Sequence, residues 1–299
     1  MGFFKPNIKK MLNRQDIEGL QAALNHKDEG VRADAAEALG DIGDAKAVEA
    51  LIQALQDEVY SVVCESAVAL GKIKDPRAGT PLIEALKEDR PLFGIGAMRA
   101  LAGVIWALGE LKDTRALKRL LKATKKDKEE DEVIARQAML FSLAEKNETR
   151  LARLLEARRE EFTEVRKQAA IALGKIGDKR AVDRLIEVLK DEDLVVRAAA
   201  VKALEEIGDA KAVGPLLQSL RDYWELAEAP EETAKFVYQS LQVLRNGDLA
   251  IFLPEEVAEA LSNMGEEAAG PLVKALEDKN KYVREAAKTA LEKIRAKKG

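Results

Sequence analysis

The stretch Val31–Leu55, VRADAAEALGDIGDAKAVEALIQAL, holds two helical patterns separated by a turn signal. In its first part Val31, Ala35, Ala38, Leu39 and Ile42 recur three and four residues apart, the spacing of one helix face. Gly43 takes the left-handed conformation that ends a helix without a Cβ clash, and Asp44 offers a carboxylate to cap the next one. In the second part Val48, Leu51, Ile52 and Leu55 form another apolar stripe. Neither helix hides its stripe alone, so each pair needs a neighbour of the same kind.

The chain supplies those neighbours. Ala38-Leu39-Gly40 returns as Ala69-Leu70-Gly71, Ala107-Leu108-Gly109 and Ala172-Leu173-Gly174, and the turn returns at Lys74-Asp75-Pro76, Lys112-Asp113, Gly177-Asp178 and Gly208-Asp209. Gly40 and Gly71 are 31 residues apart, as are Gly174 and Glu205; the interval stretches to 38 from Gly71 to Gly109 and to 35 from Gly109 to Ala144. The expected fold is all-α, an alpha-alpha superhelix of about seven helical hairpins sharing one core. It forms a single solenoid over 1–299, with an N-terminal cap at 1–27 and six repeats at 28–222 (28–58, 59–90, 91–128, 129–161, 162–191 and 192–222). An irregular repeat with an insertion follows at 223–278, and a C-terminal cap at 279–299.

Composition agrees. Apolar residues make up 47% and charged residues 34%, with 4% aromatic, as in proteins built from long Ala-, Leu-, Glu- and Lys-rich helices. The net charge of −4 gives no global attraction for nucleic acid. One cysteine, Cys64, permits no intrachain disulfide and suits a reducing compartment, so a cytoplasmic location is expected. The first residues lack the apolar core of a signal peptide. The most apolar run, Leu92 to Leu108, carries Arg99 at its centre and keeps the repeat register, so it reads as a buried helix and no membrane span is expected.

The pattern Val31-Arg32, Ala38-Leu39-Gly40, Ile42-Gly43-Asp44, Ala47-Val48, Leu51-Ile52 and Leu55 resembles the HEAT-like repeat of the phycobilisome lyase type, and the runs from Val165-Arg166 and Val196-Arg197 fit it nearly as well. The resemblance implies second helices lining a concave face. It also implies a scaffolding role for Arg32, Arg136, Arg166 and Arg197 as clamps between repeats and for Asp44, Asp75, Asp178 and Asp209 as helix caps. It is specific for fold rather than activity. The iron-dependent hydroxylases built from such repeats use repeated His-Glu pairs. This chain has none, and His26, its one histidine, reads as a turn residue. No metal site, cofactor or catalytic residue is expected. Cys64 aligns with Ala33 and reads as a small core filler. Gly94-Ile95-Gly96-Ala97-Met98-Arg99 lacks both the third glycine and the preceding strand of a dinucleotide site. Glu129-Glu130-Asp131-Glu132 reads as an acidic helix start.

Two features exceed the repeat. Eight Lys and Arg against two Asp lie between Lys112 and Lys128, with Arg115, Lys118, Arg119, Lys122 and Lys126 on one side of a helix and Leu117, Leu120 and Leu121 on the other. Arg153 and Arg184 occupy the position of Arg119 in the next two repeats, where Ala50, Pro81 and Pro215 stand elsewhere. A cationic stripe of this kind suits an acidic or phosphorylated protein segment, or a nucleic-acid backbone. It reads equally as a solvated face balanced by Glu156, Asp183 and Glu187. The second feature is the insertion after Asp222, where Tyr223, Trp224, Phe236, Tyr238 and Phe252 concentrate the aromatics. They offer partner anchors or fill a gap in the core. The expected function is a non-catalytic scaffold that binds a protein partner on its concave surface. The alternatives are a bilin-lyase-like enzyme or accessory subunit taking an anionic ligand, and a nucleic-acid-binding protein of the HEAT-like DNA glycosylase kind.

Overall fold

The computed structural model describes residues 6–86, 96–125, 148–227 and 254–297. The described residues are helices and turns without a strand, the all-α repeat class expected, and none of their helices is long and apolar enough to cross a membrane. The chain divides into two units, residues 1–172 and 173–299.

The first unit opens with α1 (Ile8–Asn13) and α2 (Ile17–Ala23). Three hairpins follow: α3 (Glu29–Ile42) with α4 (Val48–Ala54), α5 (Tyr60–Ile73) with α6 (Gly79–Ala85), and α7 (Ala97–Leu111) with α8 (Leu117–Ala123). Helix α9 spans Glu148–Ile176. The second unit continues with α10 (Val182–Val188), α11 (Leu194–Ile207), α12 (Val213–Ala227), α13 (Pro254–Asn263), α14 (Ala269–Ala275) and α15 (Lys281–Ala296).

The punctuation of the sequence becomes a repeated corner. Gly43 ends α3 at φ 74°, and its N–H donates to the Leu39 carbonyl. Asp44 Oδ1 then accepts from the Lys46 N–H at 2.8 Å, opening a short 3-10 turn that leads into α4. Asp75, Asp113, Asp178 and Asp209 cap the same turn by the same bond, at 2.9–3.0 Å. Gly177 and Gly208 repeat the left-handed corner, whereas Lys74 and Lys112 adopt it with a side chain. Left-handed lysines carry a strain of about 1 kcal/mol that glycine avoids.

Between repeats the Ala-Leu-Gly motif sets the packing distance. A Cβ on Gly40 would stand 2.7 Å from the Ala69 Cα, one on Gly71 2.9 Å from the Ala107 Cα, and one on Gly174 2.7 Å from the Ala203 Cα. The glycine of one first helix thus receives the alanine of the next, backbone against backbone. Leu39, Leu51, Leu55, Leu70, Leu173 and Leu204 are fully buried around these crossings. Ile42 and Ile52, expected in the core, are half-buried at its rim.

The turn before each first helix is fixed by an arginine. Arg32 Nε and Nη2 donate to Asp57 at 2.7 and 3.0 Å, and its Nη1 donates to the His26 carbonyl at 2.9 Å. His26 Nδ1 accepts from the Asp28 N–H at 3.0 Å, so the histidine closes this turn. The boundary expected between the fourth and fifth repeats, at 161/162, lies inside α9, which runs on unbroken. Asp28, Asp193 and Asn280 cap the first helices of other repeats, whereas Phe162 stands at that position here and offers no acceptor, a lack it shares with Val59 before α5. Residues 126–147, most of the fourth expected repeat, and 228–253 of the insertion lie outside the described residues.

Candidate binding surface on the second helices

Two sets of cations on the second halves of the hairpins differ in their pairing. The arginines of the 3-10 turns are neutralised. Arg77 donates to both Asp75 carboxylate oxygens, at 3.0 and 2.8 Å, and reaches back to Glu49 on α4 at 3.1 Å. Arg115 grips Asp113 in the same way and donates to Thr80 Oγ1 of the previous hairpin at 3.1 Å. Arg180 holds Asp178, and Lys211 reaches back to Asp183 at 2.8 Å. Arg115, expected on the cationic stripe, therefore belongs to the corner that joins hairpins.

These pairs pull the carboxyls down. The Arg77 guanidinium and its backbone N–H hold Asp75 at about 2, against an ordinary 3.8, and Arg115 and Arg180 lower Asp113 and Asp178 in the same sense. Because folding depresses these values, their stabilisation is complete above the ordinary carboxylate range and is lost as pH falls below it, for Asp75 from about 4 toward about 2. Melting temperatures followed by circular dichroism should fall modestly over that interval. The variant Asp75→Asn, Asp113→Asn, Asp178→Asn keeps the caps but should show a flatter pH dependence.

The second group lies on α8. Leu117 and Leu120 are buried, and Lys118, Lys122 and Lys125 share the outer face at four- and three-residue spacing with Arg119 beside them. Lys118, Lys122 and Lys125 are exposed and Arg119 is half-buried. Among the described residues Lys118, Arg119 and Lys125 make no ion pair. Lys125 continues the Lys118–Lys122 ridge just beyond the end of α8. Arg184, at the position of Arg119 in a later repeat, pairs with Glu187 one turn on. The difference is set by sequence, since the residue three after Arg119 is Lys122 and the residue three after Arg184 is Glu187. Lys126 and the side chain of Arg153 lie outside the described residues.

The aromatics of the insertion are partly core. Tyr223 is 5% exposed and meets Trp224 edge-on, with ring centroids 5.6 Å apart. Trp224, half-buried, stacks on Tyr282 of α15 at 3.8 Å and 17°. Phe236, Tyr238 and Phe252 lie outside the described residues. Cys64 is buried with its Sγ 3.6 Å from the Arg99 carbonyl, and burial pushes the thiol pKa up, away from reactivity. Among the described residues no three His, Cys, Asp or Glu side chains gather as a metal site.

The HEAT-repeat family model matches residues 17–102 and 151–232, and the PBS lyase HEAT-like repeat model matches residues 100–126. No curated protein matches the sequence. Among solved structures, the complex of CpcE and CpcF of phycocyanin lyase from Nostoc sp. PCC7120 is 20% identical, with 92% of this chain and 94% of that chain covered and a TM-score of 0.39. Human deoxyhypusine hydroxylase in complex with glycerol is 18% identical, with 97% and 99% covered and a TM-score of 0.34. A designed armadillo repeat protein in complex with the peptide (KR)4 is 18% identical, with 93% and 99% covered and a TM-score of 0.41. The hairpins, their Gly-Asp corners and a family match over more than half of the sequence establish that this chain belongs to the HEAT-repeat family.

Proposed function

We propose that this chain is a non-catalytic binding module that docks an acidic or phosphorylated segment of a protein partner on its second-helix surface, with α8 as the electrostatic contact. The observation carrying this reading is the contrast between the two groups of cations. Every turn arginine described above has a carboxylate partner, while Lys118, Arg119 and Lys125 have none among the described residues. Like charges crowded on two helical turns repel one another, and an incoming acid relieves that repulsion. Exposed pairs of this kind set association rate, orientation and salt dependence more than affinity, so apolar contacts elsewhere must supply the rest. Protein is favoured over nucleic acid because seven-residue α8 is only about 10 Å long and reaches few phosphates. A cytoplasmic location, which a lone buried cysteine suits, is part of the proposal.

The test is fluorescence anisotropy with a labelled Glu/Asp-rich peptide, its phosphoserine counterpart and a single-stranded oligonucleotide. Each is titrated with the wild-type chain and with Lys118→Glu, Arg119→Glu, Lys125→Glu in one variant. Peptide affinity should fall roughly tenfold or more, since each exposed pair contributes about 0.2–1 kcal/mol and each reversal adds repulsion. The melting temperature should stay put. Equal peptide binding by both proteins would overturn the reading, and so would tighter, steeply salt-dependent binding of the oligonucleotide.

A further inference from the structure

Glu285, Lys288, Glu292 and Arg295 are spaced along α15 so that they share one side of the helix, opposite buried Val283, Ala287, Ala290 and Ile294, and all four are exposed. Counted from the helix start, Glu285, Lys288 and Glu292 stand where α3 has Ala33, Ala36 and Gly40 and where α5 has Cys64, Ala67 and Gly71. In those helices this side receives the next first helix, with Gly40 against the Ala69 backbone and Gly71 against the Ala107 backbone. Ala36, Gly40, Cys64, Ala67 and Gly71 are buried there. Long charged side chains do not admit that close contact of backbones, so the corresponding side of α15 suits a different neighbour.

The second helix of this last hairpin tells the same story. Leu276 ends α14 where Leu55 ends α4 and Leu189 ends α10. Leu55 and Leu189 are buried, whereas Leu276 is 39% exposed and Val273, one turn earlier, 53% exposed. Helix α14 packs on α15, so apolar surface and a charged row occur together at this end of the array.

The order of the charges identifies the neighbour. From Glu285 to Arg295 the row reads minus, plus, minus, plus. A solvated cap needs charge but no particular order. Turned end for end about Ala290, this row becomes its own complement. Glu285 then faces Arg295 of a second copy and Lys288 faces Glu292, while a copy laid parallel sets like charge on like. Among the described residues none of the four makes an ion pair within its own chain. Lys281, on the same side near the helix start, lies over the Tyr282 ring at 4.6 Å.

We propose that the exposed side of α15 is a two-fold interface with a second copy of this chain, in which the two α15 helices lie antiparallel and exchange Glu285–Arg295 and Lys288–Glu292 ion pairs. A two-fold contact uses one surface twice, which is the self-complementarity this row possesses. Val273 and Leu276 add apolar area at the same end. The row is only about 15 Å long and its pairs are exposed, so the dimer is weak and sensitive to salt. The interface is independent of the α8 ridge.

The test is sedimentation equilibrium of the full chain from about 5 to about 500 µM, a range that reads weak association. Wild type should form dimers in low salt and associate roughly tenfold less tightly in about 0.5 M sodium chloride. Two variants reverse the row. Lys288→Glu with Arg295→Glu makes it wholly negative, and Glu285→Lys with Glu292→Lys makes it wholly positive. Each alone should stay monomeric over the range with an unchanged circular dichroism spectrum. Mixed in equal amounts they should form a one-to-one dimer at least as tight as that of the wild type, a result that only antiparallel pairing of the two rows produces. The proposal fails if wild type is monomeric throughout in low salt, which is also the outcome if residues of its own chain cover α15. It fails if either variant alone dimerises as well as wild type, because the contact then lies elsewhere, and it fails if the mixture stays monomeric while wild type dimerises.

Discussion

Gly40→Val should cost about 3 kcal/mol or more and erode the cooperativity of unfolding. The nearest atoms to an added Cβ are the Ala69 Cα and Cβ, at 2.7 and 2.8 Å, and α5 cannot rotate its own backbone aside. Overpacking in a core that relaxes through side chains costs about 1–3 kcal/mol, and a backbone contact has less room to relax. Gly174→Val should behave alike against Ala203. Gly214→Ala is the matched control. Nothing lies within 4 Å of its new Cβ, so it should be neutral or stabilise by up to about 1 kcal/mol. Urea unfolding with fitted slopes separates the two. Equal stability of Gly40→Val and Gly214→Ala would refute the backbone-to-backbone stacking of first helices.

Arg32→Met has the next largest effect, a loss of about 2–3 kcal/mol. The Arg32 and Asp57 side chains are 12% and 13% exposed, so removal of the guanidinium leaves a poorly solvated carboxylate without its partner. Asp57→Asn keeps the cap on Val59 but removes the charge. Combined with Arg32→Met it should recover part of the loss, with a double-mutant coupling of about 1 kcal/mol. Additive losses would mean that the pair only fills space.

Much of this architecture was legible because its determinants are local. Gly43-Asp44 specifies a corner by the conformational freedom of one residue and the acceptor on the next, and the corner recurs wherever the aspartate does. The Ala-Leu-Gly recurrence pointed to stacked helices, although only coordinates reveal that the glycine faces the next repeat's alanine. Pairing was less legible. Arg115 and Lys118 are alike in a helical projection, yet one is tied to Asp113 and the other is not, because the 3-10 turn folds Arg115 back on its own cap. Arg119 and Arg184 share a repeat position and differ only through their neighbours three residues on. Tyr223 joins the core because α12 outlasts the repeat, a consequence of Arg221 and Trp224 finding partners 57 and 58 residues later. Periodicity carries no information about such distant contacts.

The measurement that bears most directly on a binding role is affinity capture from nuclease-treated native lysate, with wild-type chain and the Lys118→Glu, Arg119→Glu, Lys125→Glu variant as parallel baits. Eluates are read by mass spectrometry and by visible absorbance. A stoichiometric protein retained by the wild type through an acidic or phosphorylated segment, and lost from the equally folded variant, is the predicted result. An identical catch from both baits, or a chromophore or nucleic acid in place of protein, would contradict it.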